Sequence, residues 1–76
     1  MKNKKVAELL YRIADMLELK EVEFKPRAYR NAARSIENLS KDIEDVMKEG
    51  KLKDIEGVGK SISKKIEEYL KTGELE

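Results

Sequence analysis

Leu52-Lys-Asp-Ile-Glu-Gly-Val-Gly-Lys-Ser-Ile-Ser-Lys-Lys-Ile66 sets an apolar-x-Gly-apolar-Gly-Lys turn directly before an amphipathic helix. Gly57 and Gly59 let the backbone turn tightly and come close to a ligand, and Val58 is an apolar tip that can tuck between two helices. The helix beginning near Lys60 offers unpaired N–H groups to an anion. This is the sequence form of a helix-hairpin-helix, with its hairpin at residues 55–60, and it points to phosphate binding. The same letters also fit a plain helix–helix turn with a glycine at each corner. The apolar frame of Leu52, Ile55, Val58, Ile62 and Ile66 weighs towards phosphate binding and nucleic acid.

Outward from the hairpin, the chain reads as helices only. Asn3 suits the cap of a first helix with Val6, Leu9, Leu10, Ile13, Met16 and Leu17 inward and Glu8, Arg12 and Asp15 opposite. The period breaks over Glu18 to Lys25, and Pro26 suits the first turn of a second helix running to about Glu37. Ser40 is positioned to cap a third, with Ile43, Val46 and Met47 inward and Gly50 as its stop. Leu52 to Ile55 forms a short fourth, and a last helix runs from about Lys60 to Lys71, stopped by Gly73. No segment alternates with a strand period. The expected fold is all-α, a compact bundle of four to five short helices containing one helix-hairpin-helix, with residues 1–76 as a single domain.

Composition limits the chemistry. A chain of 76 residues supports a thin core, so a site must lie at the surface or in a shallow pocket. With no Cys and no His there is no thiol nucleophile, disulfide, His base or usual zinc site, and catalysis must rest on Lys, Tyr, Arg or carboxylates. Charged residues make up 43% of the chain and interrupt every apolar run, so no membrane partner is expected. The net charge of +1 rules against coating DNA by bulk electrostatics, which shifts attention to local distribution. From Phe24 to Ile36 there are four cations, Lys25, Arg27, Arg30 and Arg34, and no acid.

On the second helix, at about 100° per residue, Ala28, Tyr29, Ala32, Ala33 and Ile36 fall on the core side, with Arg27, Arg30 and Arg34 opposite. Tyr29 is expected at the core's edge with its hydroxyl free. From Phe24 to Ile36 the arginine stripe has no carboxylate beside it on its own helix, so it reads either as a solvated face or as a phosphate contact through forked donors. On the last helix, Ile62, Ile66, Tyr69 and Leu70 face the core, while Lys60, Lys64, Glu67 and Lys71 lie far from it. Lys65 falls at the margin, where a lysine stem is partly covered. Such a lysine is either a plain boundary residue or an amine whose pKa is lowered by desolvation and neighbouring cations, as carbonyl chemistry requires.

Two stretches in order, Phe24-Lys-Pro-Arg-Ala-Tyr-Arg-Asn-Ala-Ala33 and Ile55-Glu-Gly-Val-Gly-Lys-Ser-Ile-Ser-Lys-Lys-Ile-Glu-Glu-Tyr-Leu-Lys-Thr-Gly73, carry a family resemblance over nearly the whole chain. The chain resembles the small N-terminal domain of X-family DNA polymerases. That group includes DNA polymerase beta and bacterial and archaeal polymerases with an additional phosphoesterase domain. The resemblance implies a helical domain that binds the 5′-phosphate side of gapped or nicked DNA, or single-stranded ends. In some relatives it is also a deoxyribose-5-phosphate lyase acting through a Schiff base in base excision repair. By the same resemblance Lys65 matches the catalytic lysine, and Lys25, Tyr29 and Lys53 match the phosphate pocket. Gly57, Val58 and Gly59 match the DNA-binding hairpin, with a K+ or Na+ ion on the carbonyls of Ile55 and Gly57 and no metal needed for chemistry. Arg30, Lys60 and Lys64 complete the expected DNA-contacting set. Four positions depart from the family pattern: Ser61 stands for a pocket lysine, Phe24 for a stacking histidine, Ser63 for an alanine and Glu56 for a proline. The resemblance further implies a monomer, a cytoplasmic, nucleoid-associated setting, and the polymerase domains of a longer chain as a partner. Two alternatives stand beside the lyase: a non-catalytic DNA-binding module of a repair polymerase, and a helical protein-interaction domain.

Overall fold

The computed structural model describes residues 1–73. Among them are four α-helices and no strand: α1 (Asn3–Leu19), α2 (Lys25–Glu37), α3 (Ile43–Lys48) and α4 (Lys60–Thr72), with a 3₁₀ turn at Leu52–Asp54 before the hairpin. The expected short fourth helix is thus a single 3₁₀ turn. The far end of the expected single domain, residues 74–76, lies outside the described residues.

α1 and α2 are the main packing pair. They run antiparallel, since Arg30 meets Asp15 and Glu18 while Tyr11 meets Glu37. Ala7 and Ala14 on α1 and Ala32 and Ala33 on α2 are buried, and their small side chains let the two backbones approach. Leu10, Ile36, Ile43 and Ile66 join the four helices in one core. Two residues expected inside are exposed. Met16 is 56% exposed because it lies well off the buried stripe of α1, and Ala28 is exposed a quarter turn from the centre of the α2 stripe. On α4, Ile62, Ile66 and Leu70 are buried as expected, while Glu67, expected far from the core, is half-buried.

The helix ends differ from expectation in informative ways. Asn3 is the first residue of α1, with Lys2 as its cap, and its buried side chain does something else. Its amide N–H donates to the Lys41 carbonyl at 2.6 Å, and its oxygen accepts the Ile43 N–H at 2.8 Å. It thereby ties the chain's start to the start of α3. Asn3→Ala leaves both backbone groups without a partner in a buried place, so a loss of about 1–3 kcal/mol is expected in urea unfolding. α3 is capped by Asp42, whose carboxylate accepts the Glu44 N–H at 3.0 Å, and not by Ser40. Its end is closed by paired bonds from Gly50 to Met47 and from Lys51 to Val46, with Gly50 at φ 71°. The same pattern closes α1, but there Glu21 takes the positive φ of 58°.

Phe24 precedes α2 at φ 69°, ψ −40°, and the Lys25 N–H donates to the Glu23 carbonyl at 2.8 Å across it. These are the marks of a γ-turn of the strained hand, held at a side chain that is 86% exposed. Phe24→Gly removes the Cβ strain and little packing. Its expected effect is a gain of about 1 kcal/mol, read as a rise in Tm.

Candidate nucleic-acid interface

The hairpin is built from one turn. Ile55-Glu56-Gly57-Val58 closes with the Val58 N–H donating to the Ile55 carbonyl at 3.0 Å, and Gly57 stands at φ 84°, the conformation a type II turn requires at its third position. Gly57 is also pressed onto α2, where a Cβ added to it would sit 3.2 Å from the Ala32 backbone nitrogen. Gly59 differs from the expected tight-turn role. Its φ of −96° is open to any residue, and an added Cβ would meet nothing within 4 Å, so its lack of a side chain keeps space clear in front of α4. Val58 and Ile55 are buried and anchor the turn from below.

α4 starts at Lys60 with Gly59 at its cap and no side chain capping it. Its leading N–H groups therefore depend on solvent or a ligand. Lys60 and Lys64, one turn apart, are exposed beside them, and Lys53 is exposed on the 3₁₀ turn. The helix dipole and these ammonium groups put positive charge at the α4 side of the hairpin, while exposed Glu56 puts a negative charge at its tip.

Tyr29 joins α2 to this end. It is buried, not at the core's edge, and its hydroxyl lies beside that of Ser61. Burial raises the phenol above its ordinary value, and the Ser61 hydroxyl opposes that rise. Lys25 lies one turn before Tyr29 on α2, and half-buried Lys65 lies one turn after Ser61 on α4. Ser61, legible in the sequence only as a lost lysine, is the α4 residue whose hydroxyl acts on Tyr29.

Arg30 is placed differently from Arg27 and Arg34. Its guanidinium bonds Asp15 at 3.1 Å and also Glu18, both on α1, and these carboxylates raise its pKa, Glu18 foremost. The missing acidic partner on its own helix is thus supplied by the neighbouring one. A phosphate drawing on Arg30 must compete with two carboxylates, whereas Arg27 and Arg34 are exposed and make no ion pair to a described residue. A cation on the hairpin would share the Ile55 carbonyl with Val58, which uses one of its two lone pairs. Among the described residues no cluster of acidic side chains is grouped to hold a metal ion, and no helix is long and apolar enough to cross a membrane.

A type II turn on a buried apolar anchor, leading into an uncapped helix flanked by lysines, defines a helix-hairpin-helix. The chain belongs to a helix-hairpin-helix domain family, whose model matches residues 1–75. No curated protein and no solved structure matches it. The class points to nucleic-acid binding.

Proposed function

We propose that the domain binds gapped or nicked DNA by its 5′-phosphate and acts there as a deoxyribose-5-phosphate lyase. The observation that supports this most is the hairpin itself, a tight turn with Gly57 at φ 84° leading into an α4 start that no side chain caps and that exposed Lys60 and Lys64 flank. Lys25, Tyr29 and Lys53 hold the terminal phosphate, with the Ser61 hydroxyl as a further donor. Lys60, Lys64 and the N–H groups at the start of α4 hold the strand beyond it. Gly57, Val58 and Gly59 keep the backbone close to that strand, and a K+ or Na+ ion on the Ile55 and Gly57 carbonyls offsets its charge. Exposed Phe24 stacks on an unpaired base at the gap.

The chemistry needs one amine. The neutral Nζ of Lys65 adds to the C1′ aldehyde of the ring-opened sugar and loses water to form an imine. The protonated imine draws electrons from C2′, whose proton passes to solvent. The C3′–O bond then breaks and releases the 3′-flanking strand with its 5′-phosphate. Water hydrolyses the imine and restores the lysine. Phosphate held by Lys25, Tyr29 and Lys53 fixes the sugar over Lys65.

The binding step is tested by fluorescence anisotropy on gapped DNA with and without the 5′-phosphate. Removing the phosphate is expected to weaken binding by about 10- to 150-fold, as loss of charge-assisted bonds worth about 1.5–3 kcal/mol implies. With Lys25, Lys53, Lys60 and Lys64 as the phosphate contacts, log K should fall against log salt with a slope of about −3 to −4. Affinity indifferent to both phosphate and salt would overturn the DNA reading in favour of a protein-interaction domain.

A further inference from the structure

Between the hairpin tip and the outward face of α2 lies a cavity of about 420 Å³ lined by Asn31, Arg34, Ser35, Asn38, Glu56 and Gly57. Asn31, Arg34 and Ser35 of α2 and Asn38, its C-cap, recur at i, i+3, i+4 and i+7, so one face presents them together. None of the five side chains makes a hydrogen bond or ion pair to another described residue. Arg34 and Glu56 line the same space without pairing, although their charges are opposite. Asn31, Arg34, Asn38 and Glu56 are exposed, so their donors and acceptors are open to a ligand that offers both.

We infer that this groove takes an unpaired nucleobase and favours guanine, an inference that rests on the DNA-binding reading above. A phosphate accepts hydrogen bonds only, so Glu56 at the hairpin tip would repel it. A base edge carries donors and acceptors in a fixed pattern, and single-stranded bases are read on those edges. Guanine alone among the four DNA bases sets two adjacent donors, N1–H and the N2 amino group, side by side, which matches the two oxygens of a carboxylate. Its O6 and N7 are acceptors suited to the fork of a guanidinium, here Arg34. Adenine, cytosine and thymine each turn at least one acceptor towards a carboxylate that grips their donor. Asn31 and Asn38, with both amide donors and acceptors, flank the pair, and Gly57 holds the groove next to the hairpin that carries the strand.

The test is anisotropy of the whole chain with 5′-phosphorylated single-stranded dodecamers, all-thymidine or thymidine alternating with G, A or C. The guanine oligomer is expected to bind about tenfold more tightly than the other three, in keeping with one good bidentate pair. Glu56→Gln, an exposed and near-isosteric change, should bring that preference below about twofold while altering all-thymidine affinity by less than about threefold. Equal affinity of the unaltered chain for all four oligomers would overturn the guanine pocket and leave DNA binding intact. So would a uniform strengthening by Glu56→Gln, which would make Glu56 only a like charge beside phosphate. Absence of binding to every oligomer would overturn the DNA-binding reading itself, and this inference with it.

Discussion

Gly57→Ala is expected to destabilise the domain by about 2–3 kcal/mol, measured as a fall in the urea midpoint at unchanged slope. Two penalties add. At φ 84° an L-residue is strained, which costs about 1 kcal/mol. The new Cβ would also stand 3.2 Å from the Ala32 nitrogen and 3.4 Å from the Asn31 carbonyl carbon, both backbone atoms of a helix that cannot rotate aside. Relief requires moving the hairpin off α2, which loosens buried Val58 and Ile55. For a domain whose core supplies about 3–5 kcal/mol, such a loss leaves a large unfolded fraction. Gly59→Ala provides the contrast. Its φ is ordinary and its surroundings are open, so stability should change by less than about 0.5 kcal/mol, while DNA affinity falls because the methyl group occupies the approach to α4. Equal stability losses for the two alanines would mean that the hairpin does not rest on α2 as described.

Lys65→Ala is expected to abolish covalent capture of the protein by borohydride on nicked DNA bearing a 5′-deoxyribose phosphate. Reduction freezes the imine, so the adduct reports the nucleophile directly. Lys65→Arg keeps the positive charge but offers no neutral amine near neutral pH, and it should fail equally. Binding to gapped DNA should fall by less than about tenfold in both variants, since Lys25, Lys53, Lys60 and Lys64 remain. An adduct that survives in Lys65→Ala assigns the chemistry to another amine. Its absence from the unaltered protein, with gap binding retained, leaves a non-catalytic module.

Much of the fold follows from periodicity and punctuation. Pro26, Gly50 and Gly73 mark helix ends because each has a backbone preference independent of its neighbours, and all three stand where those preferences place them. Glu21 and Phe24 take positive φ without being glycine, so no letter announces the end of α1 or the turn before α2. Asn3 reads as a cap because its side chain suits one. Its actual partners lie 38 and 40 residues away, a separation that local pattern does not reach.

The same division runs through the site. Sequence alone determined the all-helical class, the hairpin and its anchors, and the marginal position of Lys65, because helical period and glycine chemistry are local properties. Tertiary structure decided that Gly57 is essential for packing and Gly59 for clearance. It also engaged Arg30 with α1 and set Tyr29 beside Ser61. The cleft between Arg34 and Glu56 arises in the same way. Each of these depends on two segments meeting in space, and the meeting is set by burial of one shared core, to which every helix contributes only a part.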